Sequence, residues 1–108
     1  MYQIEHYLSG DGRDLFAEWL ASLADRRARA YTLARVGRME AGAFGDCKPV
    51  GAGVWEARID YGPGYRVYYA RVGDRLIVLL IGGDKRKQKT DIESAVSYWK
   101  DWQKRNRK

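Results

Sequence analysis

The sequence predicts an α+β fold in which an antiparallel or mixed, twisted sheet of about four strands carries a two-helix hairpin on one face and a C-terminal helix. Three strand-like runs, at residues 54–60, 65–72 and 76–81, follow one another across tight turns, which predicts an antiparallel meander. Runs with helical spacing lie before and after the meander. The expected order is strand, helix, helix, three strands, helix, in one domain spanning residues 1–108.

The meander is indicated by the alternation of its side chains. In the first run, Trp55, Ala57 and Ile59 alternate with Glu56 and Arg58, which predicts a strand with one buried and one open face. A Gly-Pro-Gly turn follows, and the second run keeps the same period. The third run consists of consecutive apolar residues, as in a central strand that is buried on both faces.

The segment before the meander predicts one strand and two helices. Residues 2–8 suit a first strand at an edge of the sheet, and residues 13–23 carry apolar side chains at helical spacing after Asp11, the expected N-cap. After Ala24 and Asp25, a second helix, rich in alanine and arginine, is expected to run to about Met39. Its expected inward face comprises Ala28, Tyr31, Leu33 or Ala34, Val36 and Met39. Its expected solvated residues are Arg26, Arg27, Arg29, Arg35 and Arg38.

Two further segments complete the prediction. Residues 43–53 are expected to form a loop with room for a short strand at residues 47–50, and the pair Gly82 and Gly83 is expected only to turn the chain. After the basic cluster, an apolar stripe from Asp91 to about Lys104 predicts a helix with Thr90 as its N-cap. The residues from 104 to 108 are expected to fray.

The composition restricts the function classes. The single cysteine, Cys47, excludes an intramolecular disulfide and a cysteine zinc site, and it suits a reducing cytoplasm. The single histidine, His6, excludes a histidine metal site and leaves no partner for a catalytic serine. No phosphate-binding glycine loop, signal peptide or apolar stretch of about 20 residues is present. We therefore expect a cytoplasmic protein without a metal, a cofactor or membrane contact.

Positive charge is concentrated in the second half of the chain. Residues 1–46 carry a net charge of −1, whereas residues 47–108 carry +7. A basic half suggests a polyanion or an acidic protein as the partner. A well-solvated surface is the alternative explanation of the same composition.

Arg58 and Arg66 lie on neighbouring predicted strands, both on the side opposite the apolar face. Adjacent strands are about 4.8 Å apart, so the two guanidinium groups repel each other unless an anion or an acid such as Glu56 lies between them. A phosphodiester would satisfy both arginines through paired hydrogen bonds. In the alternative reading, Glu56 pairs with one arginine and the other is exposed.

The chain resembles a known toxin family in and after the meander. The similarity is carried by Gly64, Tyr65, Arg66, Val67, Tyr68 and Tyr69, then by Gly83, Asp84 and Lys85, and then by Gln88, Asp91, Ile92 and Ala95. These residues are similar to the RelE/ParE superfamily of toxins from bacterial type II toxin–antitoxin modules. Among its members, the chain looks most like the small addiction-module killer proteins related to HigB, over nearly its whole length.

The resemblance implies metal-independent cleavage of mRNA on the translating ribosome, through attack of a ribose 2′-hydroxyl on the adjacent phosphate. By that resemblance Arg66 and Arg58 bind the phosphate, while Lys85 stabilises charge or protonates the leaving oxygen. The general base stays open between Glu56 and a lysine such as Lys87. Further RNA contacts are expected from Lys48, Tyr68, Arg86 and Lys89.

The resemblance also implies a partner, a cognate helix-turn-helix antitoxin held in a hetero-oligomer, for which Trp99, Trp102 or the two-helix surface can provide the contact. Two other functions stay open. ParE-type members poison DNA gyrase instead of cutting RNA. A non-enzymatic basic module would bind nucleic acid or an acidic partner in a salt-sensitive manner, without cleavage.

Overall fold

A computed structural model describes residues 1–107 and has a five-stranded mixed sheet with helices against both faces. The elements in chain order are β1 (Gln3–His6), α1 (Leu15–Ser22), α2 (Arg26–Glu40), β2 (Cys47–Gly51), β3 (Val54–Ile59), β4 (Tyr65–Val72), β5 (Leu76–Asp84), a 3₁₀ turn (Lys85–Lys87) and α3 (Gln88–Arg105). The strands lie in the order β1-β5-β4-β3-β2. The predicted α+β class is confirmed, and the sheet has one strand more than expected.

The sheet contains the predicted meander and two edge strands. β3, β4 and β5 pair antiparallel, β2 pairs antiparallel with β3, and β1 runs parallel to β5 at the other edge, with Gln3 opposite Leu76. The expected edge position of the first strand is confirmed. β2 is the additional strand, and its sequence signal is weak because it is short, contains Pro49 and shifts its register before Gly51.

Both faces of the sheet are covered, which the alternation in β3 did not predict. Phe16 of α1 and Met39 of α2 belong to the core on one face, whereas Ala95 and Trp99 of α3 pack on the other. The prediction of an open face on β3 is therefore wrong at Glu56, which is fully buried, whereas Arg58 on the same face is 40% exposed. The two N-terminal helices share one face, with α1 against β5 and α2 against β3.

The start of α1 and the inward face of α2 differ from the predictions. Asp14, not Asp11, is the N-cap of α1, because its Oδ1 accepts a hydrogen bond from the backbone N–H of Ala17 at 2.9 Å. In α2, Thr32 is buried in place of Tyr31 and Leu33, both of which are exposed. The predicted inward positions of Ala28 and Met39 are confirmed, and Val36 packs against the cluster that contains Met39, as predicted. Ala34, the alternative to Leu33, is exposed.

The last helix begins earlier than predicted. A 3₁₀ turn follows β5, and Asp84 caps that turn by accepting from the backbone N–H of Arg86 at 2.9 Å. Thr90 therefore lies inside α3 and is not its N-cap. The helix is ordered to Arg105, which pairs with Asp101 at 2.6 Å, so fraying from residue 104 is wrong for the described chain. Lys108 lies outside the described residues.

The paired glycines continue β5 and do not turn the chain. The indole ring of Trp19 occupies the space that a side chain at Gly82 would need, and the carboxyl group of Asp91 does the same at Gly83. These two positions therefore require glycine because other groups pack on the backbone. No helix within residues 1–107 has the length and apolar character needed to cross a lipid bilayer.

Candidate functional site

The pair of arginines is built by the register between β3 and β4. Arg58 lies directly opposite Arg66. Directly opposite residues of an antiparallel pair project from the same face of the sheet. The two guanidinium groups therefore share a face, as the alternation of each strand predicted.

Arg58, Arg66 and Lys85 line one open cleft of about 420 Å³, here called the cation cleft. Lys85 reaches it because its backbone N–H donates to the carbonyl oxygen of Gly64 at 2.9 Å, which ties the 3₁₀ turn to the turn between β3 and β4. Gly64 has a φ of +84°, a conformation that favours glycine. The cleft also contains the side chains of Asp46 and Asp60 at its rim.

Arg58 is paired with Asp46 in the free protein. Its Nη2 lies 2.9 Å from Asp46 Oδ1, and its Nε has no hydrogen-bond partner. The hydrogen bond from Arg58 holds the pKa of the Asp46 carboxyl below its usual range, and the charges of Arg35 and Arg66 act in the same direction. An anion that enters the cleft therefore competes with Asp46 for Arg58.

Arg66 is supported from below by a buried carboxylate. Glu56 Oε1 lies 3.7 Å from Arg66 Nε, while Oε2 accepts hydrogen bonds from the Tyr68 hydroxyl at 3.2 Å and from Gln88 Nε2 at 2.8 Å. Arg66 Nε itself is buried without a hydrogen-bond partner. Glu56 thus holds Arg66 in place by charge and leaves hydrogen-bond donors of the guanidinium available.

Two of the predicted site residues take different roles. Glu56 is fully buried, so it cannot reach a proton in the cleft as the general base. Tyr68 is also fully buried, so the prediction that it contacts RNA is wrong. Burial, and secondarily the charge of Glu56, raises the pKa of the Tyr68 hydroxyl, which keeps it a hydrogen-bond donor to Glu56. The alternation along the strands predicted the correct face for both residues, but it does not show that α3 covers that face.

The remaining predicted cations are exposed and lie outside the lining of the cation cleft. Lys87 and Lys89 lie on the 3₁₀ turn and the first turn of α3. Lys48 lies on β2 opposite Glu56, one row away from the two arginines. Arg86 is turned back to Asp84, with Nη2 2.9 Å from Oδ2. None of these four residues lines the cleft.

Arg35 and Asp46 belong to the site although no sequence pattern groups them with it. Arg35, expected on the solvated side of α2, is half-buried, and its Nη1 donates to the carbonyl oxygen of Asp46 at 3.5 Å. Its side chain packs against Gly45. The only sequence signal for Asp46 is an acid placed directly before a short strand, and Arg35 has no signal because tertiary packing alone brings α2 there.

Asp91 is a second buried acid beside the site. It lies over Gly83, which is the partner of Arg66 in the pairing of β4 with β5, and its Oδ2 is buried without a hydrogen-bond partner. Burial raises the pKa of Asp91. Within residues 1–107, no three His, Cys, Asp or Glu side chains are grouped as metal ligands.

Replacing Asp91 by asparagine is expected to stabilise the protein at pH 7 by about 1 kcal/mol, because the buried carboxylate lacks one partner. A raised pKa in the folded state stabilises it at low pH, and that contribution is lost as the pH rises through the folded-state pKa. The gain of Asp91→Asn over the wild type should therefore shrink toward about pH 4. Thermal unfolding of both proteins between about pH 4 and pH 7 measures this difference in stability, and the exposed Asp74→Asn is the control. A lower stability of Asp91→Asn than of the wild type at pH 7 would contradict the prediction.

Comparisons with known proteins identify the family of this chain. The model of the family described as phage-derived protein Gp49-like (DUF891) matches residues 18–96. This range contains every residue that lines the cation cleft. The chain is also 48% identical, over 80 residues, to an uncharacterized protein of Haemophilus influenzae, covering 74% of this chain and 81% of the relative. The chain therefore belongs to the phage-derived Gp49-like family, a family related to the RelE-like toxins of toxin–antitoxin systems.

Proposed function

We propose that this protein is the toxin of a type II toxin–antitoxin module and that it cleaves mRNA on the ribosome without a metal ion. The observation that carries the proposal is the cation cleft, in which Arg58 and Arg66 stand side by side with Lys85. Membership of the Gp49-like family supports it, because that family is associated with RelE-like toxins.

The cleft suits a phosphodiester of the RNA backbone. Arg58 and Arg66 both line the cleft, and a guanidinium group binds phosphate oxygens through two parallel hydrogen bonds. Glu56 fixes Arg66 before the substrate arrives, so little reorganisation is needed when charge builds on the phosphate. The register of the two strands therefore supplies a preformed site for an anion.

The proposed reaction is an internal transfer of the phosphoryl group. The ribose 2′-hydroxyl loses its proton, its oxygen bonds to the adjacent phosphorus, and the bond from phosphorus to the 5′ oxygen breaks. The leaving oxygen takes a proton, and a 2′,3′-cyclic phosphate forms. We assign Arg58 and Arg66 to the phosphate oxygens and the Lys85 ammonium to the leaving oxygen, since all three line the cleft.

The general base of this reaction is not Glu56, which is buried. Lys87 stays a prediction, and it would need to turn toward the cleft because it is not among the lining residues. Asp46 lines the cleft, yet its lowered pKa makes it a weak base. Its pairing with Arg58 instead points to a role in competing with the incoming phosphate.

Replacing Asp46 by asparagine is expected to raise the affinity for single-stranded RNA a few-fold, because it removes the ion pair that occupies Arg58. The gain is small because an exposed ion pair contributes only about 1 kcal/mol or less. Fluorescence anisotropy with a labelled RNA at low salt measures this change. Asp74→Asn removes the same charge far from the cleft and is the matched control. Unchanged or weaker binding by Asp46→Asn would show that phosphate does not approach Arg58.

The function is tested by adding the purified protein to ribosomes that translate a defined mRNA and mapping the cleaved ends. Cleavage should depend on the presence of the ribosome. The cuts are also mapped in cells, by analysing transcripts after the protein is induced. Cleaved transcripts with intact chromosomes support the proposal. Chromosome breaks with an SOS response would favour a gyrase poison, and salt-sensitive binding without cleavage would favour a non-enzymatic module.

A cognate helix-turn-helix antitoxin remains a proposed partner in a hetero-oligomer, and mRNA and the ribosome remain the proposed targets in the cytoplasm.

A groove beside α3 is one surface on which the antitoxin could dock. Trp99 and Trp102 stack there with ring centroids 5.2 Å apart and line a groove of about 680 Å³ together with Lys100. This groove also reaches Gly73 in the turn between β4 and β5, away from the cation cleft. The groove is one docking surface for the antitoxin, and the surface of α1 and α2 is the other.

A further inference from the structure

A second, smaller cleft lies between α2 and the turn that joins β3 to β4. It encloses about 190 Å³ and is here called the aromatic cleft. Its lining includes Tyr31, Ala34, Arg35, Arg38, Ile59 and Tyr61. Sites for drug-sized ligands occupy about 300–1,000 Å³, so this volume suits one planar ring system.

The aromatic side chains of this cleft are held in place but not covered. Tyr61 donates its hydroxyl to Asp25 Oδ2 at 2.7 Å, and Asp25 also caps α2, so the ring of Tyr61 is fixed to the start of that helix. The ring centroid of Tyr31 lies 4.8 Å from that of Tyr61, at an interplanar angle of 61°. Tyr31 nevertheless remains 48% exposed. Tyr31 thus presents an aromatic ring to solvent while its edge contact with Tyr61 packs it against a ring that is fixed.

The aromatic cleft borders the cation cleft. Ile59 and Asp60 line both of them. Arg35 lines the aromatic cleft and also reaches the carbonyl oxygen of Asp46, which is a residue of the cation cleft. Because Arg58 and Ile59 are neighbours on β3 and face opposite sides of the sheet, an RNA with a phosphate between Arg58 and Arg66 passes Asp60 around the end of β3 to enter the aromatic cleft.

The charges at the aromatic cleft favour a polyanion. Arg35 and Arg38 lie on its α2 side, against the single acid Asp60. Arg35 Nε is buried without a hydrogen-bond partner. Aromatic rings beside arginines are the usual means by which proteins bind single-stranded nucleic acid without reading its sequence, because every base has a face that can stack.

We propose that the aromatic cleft binds a nucleobase of single-stranded RNA, next to the phosphate in the cation cleft, with Tyr31 as the stacking residue and Arg35 and Arg38 beside the backbone. This inference rests on the proposed function for the identity of the nucleic acid. It adds a subsite that explains why α2 exposes a tyrosine at this position.

The test measures binding of two probes by fluorescence anisotropy. One is a short labelled RNA with 2′-O-methyl groups, which cannot be cleaved by attack of the 2′ oxygen. The other has the same backbone without bases. Tyr31→Ala is expected to weaken binding of the first probe about tenfold, in line with a stacking contribution of about 1–3 kcal/mol per base, and to leave the second unchanged.

Two further variants separate stacking from other effects. Tyr31→Phe keeps the ring and should bind both probes like the wild type. Leu33→Ala removes an exposed apolar side chain of the same helix that does not line the cleft, and it should also have no effect. Equal affinities of Tyr31→Ala and Leu33→Ala for the first probe would overturn the inference. So would a wild type that binds both probes equally, or a Tyr31→Ala variant that loses only the antitoxin.

The inference and the proposed function can fail separately. If Tyr31→Ala shows the loss that depends on bases but the protein never cuts RNA on ribosomes, the subsite stands and the endonuclease proposal fails. If RNA is cut and Tyr31→Ala binds like the wild type, the subsite is refuted and the endonuclease proposal stands.

Discussion

Replacing Arg66 by alanine is expected to lower the rate of mRNA cleavage about 10²- to 10³-fold, the range found when an enzyme loses one preorganised donor to a developing negative charge. Arg66 is the expected main donor because it lines the cleft and the charge of the buried Glu56 fixes its position. Growth arrest on induction should disappear with cleavage. Single-turnover cleavage on programmed ribosomes measures the rate.

The fold of this variant needs its own control. Removing Arg66 leaves Glu56 fully buried without its nearby cation, and breaking a buried pair costs about 3–5 kcal/mol. The double change Glu56→Gln with Arg66→Ala removes that charge and should fold while remaining inactive. Arg66→Lys keeps the charge but not the planar fork, so its rate should be intermediate.

Arg75→Ala is the matched control for these variants. Arg75 is exposed in the turn between β4 and β5, so its loss changes the net charge equally without touching the cleft. Its cleavage rate should equal that of the wild type. A folded double variant of Glu56 and Arg66 that still arrests growth would remove the cation cleft from the mechanism.

Replacing Gly82 by alanine is expected to destabilise the protein by about 1–3 kcal/mol, the usual cost of overpacking a core. The new Cβ would overlap the indole ring of Trp19. That ring also contacts Phe16 and Tyr65, with centroids 5.9 Å and 6.2 Å away, so it has little room to move. Urea unfolding followed by tryptophan fluorescence gives the free energy of unfolding.

Gly37→Ala is the matched control. Gly37 lies within α2 with open space around the position of a Cβ, and alanine there should stabilise the helix by about 1 kcal/mol. The two substitutions add the same methyl group, and they should change the free energy of unfolding in opposite directions. Equal stabilities would mean that Trp19 can leave Gly82 without cost. A Trp19→Leu substitution should reduce the loss caused by Gly82→Ala.

The meander and the register of its arginines could be predicted because alternation along two neighbouring strands is a local property. Arg58 and Arg66 each alternate with apolar neighbours, and an antiparallel turn between their strands places them together. Glu56 shows the limit of this reasoning. Alternation tells which side chains share a face, but whether that face meets water depends on the path of α3, which the strand sequence does not contain.

The inward face of α2 could not be predicted for a different reason. Its apolar residues are spread around the helix among arginines, so no single stripe is defined. Thr32 can be buried because its hydroxyl donates to the carbonyl oxygen of Ala28 at 2.8 Å, while Leu33 is left exposed. The same uncertainty hid Arg35, whose place beside Asp46 depends on how α2 lies on β3.

The parallel pairing of β1 with β5 has a consequence for biosynthesis. β1 has no neighbour in the sheet until Leu76 to Leu79 have been made. It therefore stays unpaired while residues 7–75 are translated. Lys85 and the helix that buries Glu56 emerge later still. A nascent chain therefore holds neither the complete sheet nor an assembled cation cleft until residues 76–105 have been made.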